Sequence, residues 1–184
     1  MRTITTFTFI TLNGYFKGPQ EDISWHIHDE EGSRYSEQQL SAGNILVFGR
    51  KTYEMMHHFW PTPMAHELFP KVAEGMNRAE KIVLSQSLSR AEWANTRVLS
   101  ADAIGALERL KSTPGKNITI LGSGSVVVQL ASAHLIDRYE ILLDPVAIPN
   151  GSGMFEHIHE TVDLKLEHHQ VFKNGSILLT YIPD

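Results

Sequence analysis

Residues 3–12, rich in Thr, Ile and Phe, carry the first alternation of polar and apolar positions and end at the turn pair Asn13-Gly14. That pattern predicts a strand followed by a turn. A loop is expected through Lys17-Gly18-Pro19-Gln20 to Trp25, then a short helix from about Asp29 to Leu40, opened by acidic residues that complement a helix N-terminus. Ile45-Leu46-Val47-Phe48 is continuously apolar up to Gly49, as suits a strand buried on both faces. A helix over Arg50–His58 is ended by Pro61 and Pro63. Strands at Lys81–Leu84 and Thr96–Leu99 follow, then a helix over Ala101–Lys111 with Ile104, Leu107 and Leu110 at helical spacing. Beyond Pro114-Gly115 come the strand Ile118–Leu121, a helix over Ser125–His134 and the strand Arg138–Leu143. Leu164–Val171 and Ser176–Ile182 flank the turn Lys173-Asn174-Gly175 and read as a hairpin. Strands alternating with helices predict a three-layer α/β fold, a mostly parallel central sheet with an antiparallel C-terminal hairpin. No linker, repeat or low-complexity segment interrupts it, so residues 1–184 are read as a single domain.

Composition narrows the function classes. Acidic residues outnumber basic ones 21 to 16, for a formal charge of −5, and no Lys/Arg run occurs, which argues against a nucleic-acid partner. The absence of cysteine removes disulfides, Cys-based zinc sites and a thiol nucleophile together. The N-terminal residues read as a strand and not as an export signal, and no stretch approaches the roughly 20 apolar residues of a spanning helix. The expectation is a cytoplasmic protein with no membrane partner.

Two strand-to-helix turns have the chemistry of phosphate binding. Gly49-Arg50-Lys51-Thr52 joins a glycine, which admits a ligand close to the backbone, to two cations at a helix start. Gly122-Ser123-Gly124-Ser125 places small residues between an apolar strand and a helix, where N–H groups can meet a pyrophosphate. The full G-x-G-x-x-G fingerprint is absent because Val127 holds the third glycine position. The turn also lies too late in the chain for a two-half Rossmann domain. Between these two, Ser85 and Gln86 follow a third strand, where hydroxyls can reach a ribose or its 2′-phosphate. All three segments lie at carboxyl ends of strands, where open α/β sheets bind ligands.

In this order the motifs resemble those of the dihydrofolate reductase superfamily, and more closely its branch related to the C-terminal reductase domain of the bacterial bifunctional riboflavin-biosynthesis protein. Thr11-Leu12-Asn13-Gly14-Tyr15 resembles the S-L-D-G-[YF] turn of that branch, and Gly49-Arg50-Lys51-Thr52-Tyr53-Glu54 the superfamily's G-R-x-T-[WY]-E segment. Lys81–Ser85 is similar to its I-x-L-S strand and Ile120–Gly124 to its [VI]-x-G-G-G turn. Pro145–Gly151 with Met154-Phe155 is similar to the branch's P-x-x-x-G-x-G-x-x-[LM]-F segment. The likeness spans about residues 4–182. It implies a dihydrofolate reductase-like fold, NADPH as cofactor, a small-molecule substrate, and a homodimer, which is common in the branch. It places Arg50, Lys51 and Thr52 on the phosphates, with Arg50 or Lys51 selecting for the 2′-phosphate. Ser85 and Gln86 fall near the adenosine ribose, and Gly122 to Val126 (Ser123, Gly124 and Ser125 between them) along the pyrophosphate towards the nicotinamide.

Reduction of a C=N bond also needs a proton. In the folate enzymes a carboxylate on the first helix supplies it, shortly after a Trp. Here Trp25 precedes Asp29, Glu30 and Glu31, so Glu30 and Asp29 are the candidates, against the plain reading of a solvated helix start. Asn13, Thr11 and Lys17 depart from the branch's usual Asp, Ser and small residue, which leaves the substrate open. The implied activity is reduction of a heterocyclic or ring-opened pyrimidine/pterin-like substrate. The alternatives are the riboflavin-pathway reduction of 5-amino-6-(5-phosphoribosylamino)uracil and nucleotide binding without turnover. The pairs His26-x-His28 and His157-x-His159 are read as loop and surface histidines, not as metal ligands.

Overall fold

The computed structural model describes all 184 residues. Ten strands and six α-helices run β1 (Ile4–Thr11), β2 (Tyr15–Lys17), α1 (Glu30–Ser41), β3 (Ile45–Gly49), α2 (Arg50–Phe59), α3 (Pro63–Leu68), α4 (Pro70–Arg78), β4 (Lys81–Leu84), β5 (Thr96–Leu99), α5 (Ala103–Ser112), β6 (Ile118–Leu121), α6 (Gly124–Ser132), β7 (Arg138–Asp144), β8 (Ser152–Gly153), β9 (Leu164–Val171) and β10 (Ile177–Pro183). Eight strands form one sheet in the order β5-β4-β3-β6-β1-β7-β10-β9, and β2 pairs with β8 in a small separate ribbon. The pairs from β5 across to β7 are all parallel, and β10 runs antiparallel to both β7 and β9. The expected α/β architecture with its antiparallel closing hairpin is therefore the observed one.

Both faces of the sheet are covered. On one, Ile4, Val47, Ile82 and Ile120 pack with Leu107 of α5 and with Val127 and Leu130 of α6, all 0% exposed. On the other, Phe48 and Val83 pack with Tyr53 of α2, Val72 and Met76 of α4, and Trp93. A smaller cluster of Leu142, Phe172 and Leu178 is joined by Phe7, Phe9 and Tyr35 beneath α1. The continuous apolar run of β3 is explained by this arrangement, since its residues feed both cores.

Some elements depart from the sequence pattern. Residues 63–78 form α3 and α4, where the pattern predicts only the end of α2 at Pro61 and Pro63. Proline is well placed in the first turn of a helix, whose N–H groups have no intrahelical partner. Pro63 and Pro70 each open one, and Thr62 caps α3 by accepting from the Ala65 N–H at 3.2 Å. Gly75 of α4 lets α1 approach, since a Cβ there would lie 2.9 Å from that of Leu40. The helices expected from Ala101 and Ser125 start at Ala103 and Gly124, and that expected from Asp29 starts at Glu30. Lys81 opens β4 just beyond the end of α4, with 0% exposure. Its ammonium donates to the carbonyls of Met76 (2.9 Å), Asn77 (3.3 Å) and Ala79 (2.6 Å) and lies 4.5 Å from the Trp93 ring centre. Three protons thus meet three carbonyls that the helix end leaves free. Burial pushes the pKa of this group down to about 8. No helix is long and apolar enough to cross a membrane.

Candidate active site

A cleft of about 470 Å³ opens beside the carboxyl ends of β1 and β6, between the sheet, α1, α2 and α4. At one end two helix N-termini meet. Neither α2 nor α6 has a side-chain cap, so their first N–H groups remain free as donors. The two turns are tied directly: the Gly49 N–H donates to Ser123 Oγ at 3.0 Å, and that hydroxyl donates to the Leu121 carbonyl at 3.0 Å. Gly122 turns the chain with φ +55°, Ser123 follows at φ 57°, and α6 begins. Gly122, Ser123, Lys51 and Thr52 line the cleft. Thr8 is among the residues that line the cleft, and its buried hydroxyl has no hydrogen-bond partner.

Both cations of the first turn are paired. Arg50 binds Glu54 one turn along α2 at 2.9 Å, while Lys51 reaches Glu21 at 2.9 Å. Glu21 also accepts from Lys17 at 2.6 Å. Burial alone would raise the Glu21 carboxyl, but the bonds from Lys17 and Lys51 outweigh it and hold the group below its usual value. The Arg50–Glu54 and Lys51–Glu21 pairs are substantially exposed, so each contributes at most about 1 kcal/mol. Ser85 Oγ accepts from the N–H groups of Ser87 and Leu88 and so shapes its own turn, and neither Ser85 nor Gln86 lines the cleft. Ser125 and Val126 lie in the first turn of α6.

The two candidate acids are placed differently. Glu30 is outside the cleft, its side chain 86% exposed and paired with Arg34 at 2.8 Å. Asp29 lines the cleft, but its Oδ1 caps α1 by accepting from the Gly32 N–H at 2.8 Å. Asn13 also has a structural task. Its amide donates to the Ile148 carbonyl at 2.8 Å and accepts from the Ile148 N–H at 3.3 Å, a two-way bond to backbone that an ionised Asp cannot make.

The chemistry inside the cleft comes from Tyr35, Glu140 and Asp144, which the sequence patterns did not single out, and from the His26-x-His28 pair, of which His26 has a buried side chain and is not the surface histidine expected. Glu140, Leu142 and Asp144 alternate along β7, all buried on the face that meets α1. Tyr35 of α1 donates its hydroxyl to Glu140 Oε2 at 2.7 Å. Burial first, and then the Glu140 charge, push the Tyr35 phenol up, so it stays a donor. Further along the strand, Asp144 accepts from Ser176 Oγ and meets His26 Nδ1, both at 2.6 Å. A carboxylate only accepts, so Nδ1 carries a proton, and Nε2 has no protein partner. The His26 ring lies flat on Phe9, with centres 4.0 Å apart, and takes the edge of His28 at 4.5 Å. His28 keeps much of its surface open, yet partial desolvation against these rings, followed by repulsion from His26, pushes its pKa down to about 4. No group of three or more His, Asp or Glu is placed to hold a metal ion. The sequence signal for this cluster was available: Glu140 and Asp144, four residues apart, put two acids on one face of a strand whose intervening residues Ile141, Leu142 and Leu143 are apolar.

A mostly parallel sheet of this order, with a cleft beside β1 and β6, defines the dihydrofolate reductase-like class. Within that class the chain belongs to the RibD C-terminal domain family, whose model matches residues 2–178. It is 21% identical over 173 residues to the uncharacterized protein YyaP of Bacillus subtilis (strain 168), covering 94% of this chain and 90% of that one. Its fold is similar to that of a protein assigned to riboflavin biosynthesis from Shewanella sp. PV-4, with TM-score 0.75 and 16% identity over 99% of both chains. A pyrimidine reductase-like protein from Corynebacterium diphtheriae NCTC shares the fold at TM-score 0.65 and 18% identity, over 100% of this chain and 92% of that one.

Proposed function

We propose that this protein is an NADPH-dependent reductase acting on a small heterocyclic or ring-opened pyrimidine/pterin-like substrate. The observation that carries this reading is the pair of uncapped helix N-termini, tied by the Gly49–Ser123 hydrogen bond at the edge of the cleft. Two such ends aim free N–H groups and the positive ends of two helix dipoles at one place, which suits a pyrophosphate. The unpartnered Thr8 hydroxyl further in fits a carboxamide, and Arg50 and Lys51 fit a 2′-phosphate. When bound there, the dihydronicotinamide supplies a hydride.

The remaining work falls to the chain. Phe7, Phe9, Phe16 and Leu121 wall the cleft and exclude water from the reacting centre. His26 is fixed by Asp144 at Nδ1 and by the Phe9 face, which leaves Nε2 to hand a proton to the substrate nitrogen or oxygen. Asp144, oriented by Ser176, stabilises the charged imidazole. In this reading the donor is His26. Asp29 remains a cleft carboxylate already engaged as a cap, and Glu30 serves α1 through Arg34.

The test is a thermal-shift titration with NADPH and NADH, followed by NADPH oxidation against pterins, ring-opened pyrimidines and simple cyclic imines. A cofactor at 100 times its Kd stabilises by about 2.7 kcal/mol, which for a domain of this size raises Tm by about 5–10 °C. No shift with either cofactor refutes the cofactor reading. A shift without oxidation of any substrate leaves a nucleotide-binding protein.

A further inference from the structure

Most of the cleft lies beyond the two helix ends, and its lining limits what can enter. Of its 35 lining residues the only Lys or Arg side chains are Lys17 and Lys51. Both bind Glu21, and Lys51 stands at the first turn of α2, the end assigned to the cofactor. The opposite wall is built from Met55, Met56, Phe59, Trp60 and Phe69, facing Phe9 and the ring stacked on it. The charged groups at this end are carboxylates: Glu140 on the floor and Asp29 at the wall. His28 is neutral near pH 7, and His26 is compensated by Asp144. A phosphate here would be desolvated with no lysine or arginine lining this end, since Arg138 behind Tyr35 is paired with Glu167 at 2.8 Å and the His26 charge is matched by Asp144, and with like charge nearby. A planar ring would instead find aromatic and thioether partners. Glu140 gives Oε2 to Tyr35 and keeps its other oxygen for an N–H donor.

We propose that the substrate end of this cleft takes a planar, phosphate-free nitrogen heterocycle or imine, packed between aromatic and methionine side chains and anchored through an N–H on Glu140. A ribosyl phosphate is excluded from it. The proposal rests on the reductase reading only in deciding which end the cofactor fills.

The test is calorimetric titration of the intact protein with 5-hydroxyindole and with its O-phosphate ester, which share one ring and differ by the phosphate. NADP⁺ is kept saturating so that the phosphate cannot enter the cofactor end, and its own binding is read separately by thermal shift. The neutral ring should bind at least tenfold tighter than the ester. Met55→Arg, which puts a cation on the wall, should narrow that ratio at least threefold. Glu140→Gln should abolish the penalty that methylating the ring nitrogen imposes on the wild type. Equal or tighter binding of the ester to the wild type overturns the proposal, and so does failure of 5-hydroxyindole to bind at millimolar concentration. If NADP⁺ gives no thermal shift while the neutral ring keeps its preference, the reductase reading falls and the cleft's ligand class stands.

Discussion

Replacing Asp144 by Ala, behind His26, should be among the most damaging single changes around the cleft. Asp144 is 1% exposed and joins Ser176 Oγ and His26 Nδ1 through two contacts of 2.6 Å. Hydrogen bonds to a charged group contribute about 1.5–3 kcal/mol each. Deleting the carboxylate also removes its own burial cost, so the net loss is smaller than two bonds summed. Two buried donors are nevertheless left without an acceptor, and Ser176 is itself 0% exposed. We expect a loss of about 3 kcal/mol, at the lower edge of the roughly 3–5 kcal/mol typical of breaking a buried pair. At about 2–4 °C per kcal/mol for a domain of this size, Tm should fall by about 6–12 °C. Urea and thermal denaturation at pH 7, followed by circular dichroism, measure this. A cycle with His26→Phe, which keeps a planar ring on Phe9, should show a coupling of at least about 1 kcal/mol between the two positions. A loss below about 1 kcal/mol, or strictly additive effects, would refute the buried Asp144–His26 pair on which the proton assignment depends.

Other consequences are as direct. Arg50→Ala with Lys51→Ala should weaken NADPH at least tenfold more than NADH in calorimetric titrations, and equal losses would contradict the 2′-phosphate assignment. Lys81 has its pKa lowered from 10.5 to about 8 in the fold, so between those values the unfolded chain holds a proton that the folded one has released. Stability from this group therefore rises as pH climbs from about 8 to 10.5, and urea midpoints of Lys81→Met should lack that rise relative to wild type. His28 is pushed from 6.5 to about 4, so the unfolded chain binds its proton first on acidification, and this group's contribution is lost as pH falls from 6.5 towards 4. Its ring signals in a ¹H–¹³C NMR titration should remain those of the neutral form at about pH 5.5, and a midpoint at or above 6 would contradict the packing against His26.

The sheet was legible in the sequence because its strands carry the strongest patterns. Ile45–Phe48 is apolar throughout and Ile118–Leu121 is apolar but for Thr119, a consequence of having a core on each side. The helix α3 was hidden by Pro61 and Pro63, which read as a break from the sequence, yet Pro63 serves as a first-turn residue in the fold, as Pro70 does for α4. The turns at Gly49 and Ser123 were visible as candidates, but their joining was not. Residues 49 and 123 become neighbours only because β6 pairs beside β3, a fact of strand order that local pattern does not encode. The acid at the head of α1 illustrates the opposite case. Its sequence position suggested a proton donor; in the fold Asp29 lines the cleft while its Oδ1 caps α1, and Glu30 pairs with Arg34 outside it. His26 and Asp144 are separated by more than a hundred residues, and only the folded sheet brings the imidazole to the end of β7.

The most direct test of the account is a crystal structure of the protein with NADP⁺ bound. The account predicts the pyrophosphate between the N-termini of α2 and α6, within hydrogen-bond distance of their first N–H groups. It places the 2′-phosphate on Arg50 or Lys51, and the nicotinamide in the cleft within reach of Thr8 Oγ1. A cofactor seated elsewhere, or a pyrophosphate that touches neither helix start, would contradict it.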